Sequence, residues 1–350
     1  MKLLKKIFIE GLAGMAHGLF ATLIIGTILS QIGLFINGST GEMVYTIGKI
    51  AASLTGAGIG VGVATKFKED TLVTLSAAIA GMIGAFAGKI LAGSVLVDGV
   101  IVLAGPGEPL GAFIAAYIGI EAGHFVSGKT KVDILVTPII TIGSGAAAGL
   151  LAGPTISELM IKIGELINWG TEQQPFIMGI VVSVIMGMAL TLPISSAALG
   201  VILDLSGLAA GAATIGCCCN MVGFAVASYR ENKVGGLLAQ GIGTSMLQIS
   251  NIMRKPVIWI PAIVSSAILG PVGTVFLKMA NNATGSGMGT AGFVGQIMTW
   301  QTMTSVETQG MVMLKILAMH FIFPALIAIC VSEFMRKKKW IQEGDMKLEI

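Results

Sequence analysis

Long apolar runs separated by short charged turns dominate the chain. Ten such runs are visible. The first five cover about 11–36, 44–65, 71–93, 109–127 and 133–153, and the second five about 176–201, 206–229, 234–252, 256–279 and 311–335. A helix needs about 20 apolar residues to cross the hydrocarbon of a bilayer, so the pattern predicts an all-α membrane protein of about ten transmembrane helices. Between the two sets, 154–175 carries Glu158, Lys162, Glu165 and Glu172 among apolar residues. That mixture predicts an interfacial amphipathic linker between a first membrane half, 1–153, and a second, 176–335.

Two segments break the pattern. Residues 94–113 are apolar but interrupted by Asp98 and by Gly-Pro-Gly-Glu-Pro at 105–109. Residues 281–300 are Gly-rich, polar and uncharged. Non-helical backbone at membrane depth survives only where protein or a wet cavity satisfies it, so both segments are candidate re-entrant hairpins. Faint internal repetition accompanies them. GVGVATKFKED at 60–70 resembles GFAVASYRENK at 223–233, and KVDILVTPII at 131–140 resembles RKPVIWIPAI at 254–263. Two five-helix halves of opposite topology form an inverted repeat, a plan in which transporters bind solute at the repeat interface. A third likeness, GPGEPLGAF at 105–113 with GSGMGTAGF at 285–293, crosses that order.

Composition sharpens this picture. Charged residues make up 11% of the chain, against about 25% in soluble domains, and the 49 glycines suit close helix packing. Orientation follows the basic residues. Lys2, Lys5 and Lys6, the 336–350 tail with Arg336, Lys337, Lys338, Lys339 and Lys347, and the turns bearing Lys66 and Lys68, Lys129 and Lys131, and Arg254 and Lys255 fall on one side when the span count is even. They hold two thirds of the 21 basic residues. Both termini are therefore expected in the cytoplasm. Cys217, Cys218 and Cys219 are consecutive and point in different helical directions, which suits neither a disulfide framework nor a metal site.

Ionisable residues at membrane depth are functional candidates by default. Glu108, between Gly107 and Pro109, sits where a broken segment frees backbone to line a cavity. Its carboxylate could accept hydrogen bonds from a hydroxylated solute or take up a coupling proton. Glu121 and His124 share a helix face and could pair with each other or with Glu108; His17 lies alone on the first run. Asn220, Asn281, Gly287, Gly289, Thr290 and Gln296 offer amides, hydroxyls and open backbone. Such groups suit a polyol and serve equally as interhelical glue. No phosphate-binding Gly-Lys-Ser/Thr loop, repeated span arginine, His/Cys metal spacing or catalytic constellation is present. No cofactor and no nucleic-acid partner are expected.

Gly-Pro-Gly-Glu-Pro at 105–109 resembles the Gly-Ile-Thr-Glu-Pro signature of phosphotransferase-system IIC (EIIC) sugar permeases. ATGSGMGTAGFVGQI at 283–297 resembles the hallmark of a IIC-like branch that includes PfoR-type regulatory membrane proteins. The resemblance implies a dimeric ten-span permease of the bacterial cytoplasmic membrane, with two re-entrant hairpins. It further implies an elevator-like shift, a hairpin glutamate (here Glu108) on a sugar hydroxyl, and phosphoryl transfer from separate EIIB and EIIA proteins. No fused IIB or IIA domain is expected. The chain is thus at most the IIC subunit of a sugar phosphotransferase. A solute-sensing regulator with the same fold and an ion-coupled secondary transporter are the rival readings.

Overall fold

The computed structural model describes residues 6–36, 38–103, 105–171 and 173–348; Lys2, Lys5 and Glu172 lie outside them. The chain divides into two compact units, Met1–Met160 and Ile161–Glu349.

In the first unit, α1 (Lys6–Phe35) is followed by α2 (Ser39–Ser53) and α3 (Thr55–Phe67), bent by 53° at Leu54. Then come α4 (Thr71–Ala85), the short α5 (Ala87–Leu91), a two-stranded ribbon of β1 (Leu96–Val97) and β2 (Val100–Ile101), and α6 (Pro109–Val126). Asp70 caps α4, its Oδ1 accepting from Val73 N at 3.0 Å, and Pro109 occupies the first turn of α6, where its missing N–H costs nothing. Glycines bring α1 and α3 together backbone to backbone: a Cβ at Gly18 would overlap the carbonyl of Gly58.

The 39-residue α7 (Asp133–Thr171) carries Pro138 and Pro154 within it. At 1.5 Å per residue it is nearly twice as long as the hydrocarbon is thick. Residues 154–171 thus continue the helix of the fifth apolar run, and the boundary between the units falls inside it.

The second unit is built around α10 (Gly207–Ala227), in which every residue from Ala210 to Ala225 is buried. Around it pack α8 (Pro175–Thr191), α13 (Pro256–Phe276) and α16 (Gln309–Lys337). The short α9 (Ser196–Ile202), α14 (Ala283–Ser286) and α15 (Val294–Met303) carry the irregular parts. The run at 234–252 is not one continuous helix. It is divided among α11 (Tyr229–Leu238), a π turn at Ala239–Gly243, extended Thr244, a 3-10 turn at Ser245–Gln248 and α12 (Ile249–Arg254). The physical reason is a buried amide ladder. Gln248 Nε2 donates to Gln240 Oε1 at 2.8 Å, and Asn251 Nδ2 donates to Gln248 Oε1 at 2.8 Å. Residues 345–348 complete it: Met346 O accepts from Asn232 Nδ2 (2.8 Å) and Gln248 Nε2 (3.0 Å), and Lys347 O accepts from Asn251 Nδ2 (3.0 Å). Met346 is fully buried.

Among the described residues, six helices are long and apolar enough to cross a membrane, seven if the bent pair α2–α3 counts as one span. The apolar helices α4 and α8 are shorter. Large apolar side chains such as Phe35, Ile139, Leu151 and Leu326 are exposed, as expected where lipid is the solvent.

Where α10 meets α8, a Cβ at Gly216 would overlap the Ser183 carbonyl oxygen, whereas at Gly235 it would meet nothing within 4 Å. Overpacking of this kind costs about 1–3 kcal/mol. Gly216→Ala is expected to lower the melting temperature of the purified protein by several degrees, and Gly235→Ala to leave it unchanged, as read by thermal unfolding in detergent.

Candidate functional site

In the first unit the broken segment returns to the bundle at Glu108, whose N–H donates to Ala85 O at 2.8 Å. Gly107 makes that return possible. Its φ is +74°, and a Cβ would lie 2.7 Å from that of Ala85; only glycine accepts both conditions. Glu108 is half-buried and Pro109 buried. The rest of the segment is the ribbon, whose Leu96, Val97, Val100 and Ile101 are exposed.

Glu121 and His124 do not pair with each other. Glu121 forms an ion pair with Lys6, which also lies over the Phe67 ring at 4.7 Å. His124 Nδ1 is 2.8 Å from Glu69 Oε2. A span's own residues are only part of its surroundings, and the start of α1 and the turn before α4 supply these partners. Asp70 Oδ2 accepts from Ser127 Oγ. Burial opposes ionisation of Asp70, but the bonds from Ser127 and from the Val73 and Leu72 amides outweigh it and hold the carboxyl below its usual range. His17 is half-buried on α1.

The second unit gathers Asn281, Gly289, Thr290 and Gln296 against α10 and Gly287 against α9. Asn282 caps α14 through Gly285 N at 3.0 Å. The chain then turns at 287–290, passes Ala291–Phe293 and enters α15. Gly289 has φ +52°, and a Cβ there would meet the Cys217 side chain at 2.8 Å. Gly295 N–H donates to Gly289 O at 3.1 Å. Asn281 Nδ2 reaches three acceptors: Thr214 Oγ1 (2.7 Å), Thr299 Oγ1 (2.9 Å) and Gly295 O (3.1 Å). Ser196 Oγ, at the start of α9, donates to Gly287 O at 2.7 Å. Thr290 Oγ1 lies 3.4 Å from Met221 Sδ. Gln296 Nε2 lies 3.1 Å from His320 Nδ1 and 3.4 Å from Cys218 Sγ.

Asn220 also lies on α10, but its bonds bind helices to one another. Its Oδ1 accepts from Trp259 Nε1 (2.8 Å) and Thr191 Oγ1 (3.2 Å), and its Nδ2 donates to Gly216 O (3.2 Å) and Ser266 Oγ (3.4 Å). Both ends of the amide are satisfied within the bundle. The seam as a whole is polar, uncharged and buried, with the chemistry to exchange hydrogen bonds with hydroxyl groups.

Sequence reasoning passed over His320, which is fully buried on α16. The signal was present, because an ionisable residue in the middle of LAMHFIFPALIAIC meets the same rule that picked out Glu108. Thr214, Ser196 and Trp259 carried no comparable signal, since their roles arise only from packing.

Two measurements follow. Asn281→Ala removes the amide that holds the turn and leaves buried acceptors without it, a loss of about 1–3 kcal/mol; a corresponding drop in thermal stability is expected. Asp70→Asn should lower the melting temperature at pH 7. A depressed carboxyl stabilises the fold fully above the unfolded aspartate value of about 3.9, and the benefit is lost as pH falls through the lower folded value. The gap between wild type and variant should therefore close below about pH 4, as followed by thermal unfolding across a pH series.

No match to a curated protein was found. A family model described as "Phosphotransferase system, EIIC" matches residues 9–348, nearly the whole chain. Together with the apolar helices and a buried polar seam, that match gives the conclusion: the chain belongs to the phosphotransferase-system EIIC family and is a multi-pass membrane permease of that type.

Proposed function

We propose that the chain moves a small hydroxylated solute, a sugar or sugar derivative, across the bacterial cytoplasmic membrane, and that separate EIIB and EIIA proteins phosphorylate it. The observation that carries this reading is the Gly-rich turn at 287–292, stitched to α10 by Asn281 and flanked by Gln296. It is irregular backbone inside an apolar bundle, surrounded by uncharged donors and acceptors. In a membrane permease such backbone belongs where solute is handled. Glu108, at the mouth of α6, is proposed to read a solute hydroxyl.

The accompanying architecture is ten crossings in two inverted halves with two re-entrant segments, both termini cytoplasmic, working as a homodimer through an elevator-like shift. Its support is that each of the ten apolar runs falls on helical segments, including the bent pair and the broken run at 234–252.

The test is uptake of a radiolabelled sugar panel into proteoliposomes holding the purified protein, with and without cytosolic extract plus phosphoenolpyruvate. Sugar phosphate should accumulate only with the extract, and Glu108→Gln should reduce it at least about tenfold, the loss of one charge-assisted hydrogen bond. Uptake of unmodified sugar would instead identify a secondary transporter. Solute binding without uptake would identify a sensor.

A further inference from the structure

His320 is completely buried and Gln296 nearly so. Their side chains meet at 3.1 Å between His320 Nδ1 and Gln296 Nε2. Among the described residues, neither His320 Nε2 nor Gln296 Oε1 has a hydrogen-bond partner. Buried polar atoms are almost always paired, and an orphan costs about 1–3 kcal/mol. Two orphans on one contacting pair, inside a unit whose other buried amides are hydrogen-bonded to neighbours, call for an occupant.

The chemistry of that occupant follows without fixing the tautomer. With the amide nitrogen donating to Nδ1, the neutral imidazole carries its proton on Nε2. The pair then leaves one donor, Nε2–H, and one acceptor, Gln296 Oε1. With the amide turned over, Nδ1–H donates to the oxygen. Nε2 is then the acceptor, and the amide N–H groups, now in the unpaired position, are the donors, while Cys218 Sγ lies beside the amide oxygen. Either arrangement leaves one donor and one acceptor unsatisfied on different sides of the imidazole, and the hydroxyl groups of a polyol, each of which both donates and accepts, complement the two. A carboxylate or phosphate, which offers only acceptors, cannot satisfy both, and an ammonium, which offers only donors, fails likewise.

We propose that His320 and Gln296 form a hydroxyl-recognition subsite for the transported solute. It is reached when the turn at 287–292, which covers Cys217 and Cys218, moves aside. Gln296 is the second residue beyond Val294, where α15 begins, so motion of the turn and arrival of solute act on the same amide. The inference rests on the permease reading above and adds to it a specific pair of side chains.

The experiment is equilibrium binding of radiolabelled hexoses and hexitols, each beside its monodeoxy analogues, to the purified full-length protein. The proteins compared are wild type, His320→Gln, and the double variant His320→Phe with Gln296→Leu. Wild type is expected to bind at least one member and to lose about tenfold or more for one deoxy analogue. His320→Gln, which keeps a donor and an acceptor, should bind within a few-fold of wild type. The double variant should bind at least tenfold more weakly and no longer distinguish that analogue. Its ligand-free melting temperature should equal or exceed that of wild type, because two orphaned polar groups have been removed. A double variant that binds like wild type, or whose weaker binding comes with a lower melting temperature, overturns the subsite and leaves the permease reading intact. Failure of wild type to bind any member overturns both.

Discussion

Backbone that leaves the helical path inside an apolar bundle takes its unpaired N–H and C=O groups with it, and lipid offers them nothing. The second unit meets this constraint with carboxamides. The Asn281 amide reaches two hydroxyls and a backbone carbonyl, and so fixes the Gly-rich turn against α10. Asn220 does the same for the joint of α8, α10 and α13. Amides suit the task because they present donor and acceptor together and carry no charge that would need a counter-ion. Once the turn is held this way, its glycines can approach α10 closely, and the polar seam exists as a consequence.

The first unit handles polarity differently. Polar side chains join elements far apart in sequence, Lys6 pairing with Glu121 and His124 meeting Glu69, and Asp70 joins the start of α4 to the end of α6. Pairs of this kind fix which helix ends meet. Ion pairs occur in the second unit as well, Lys315 with Glu307 and the buried Arg336 with Glu231; what sets that unit apart is the network of neutral amides in its interior.

How much of this could be read from the chain depends on the range of the interaction. Long apolar runs place α1, α6, α10, α13 and α16 within a few residues, because a span is a local property. The break within 234–252 escaped, since average hydropathy does not see that Gln240, Gln248 and Asn251 face one another. The partners of Glu121 and His124 escaped because they are 115 and 55 residues away, whereas spacing on a helix reports only neighbours three or four positions apart. Pro154 reads as a helix end, yet α7 continues through it. The Gly-rich segment announced itself by composition; its anchors Thr214 and Ser196 are ordinary residues until the fold brings them to it.

The docking of residues 345–348 sets an order of assembly. Gln248 lies in the turn before α12 and Asn251 within α12, yet carbonyls that accept their hydrogen bonds belong to Met346 and Lys347, about a hundred residues later in synthesis. Until those residues have left the ribosome, each of these amides lacks one of its two acceptors, and Met346 has not filled its place beside Phe224 and Trp259. This part of the unit therefore closes only when a stretch made about a hundred residues after Gln248 and Asn251 reaches it.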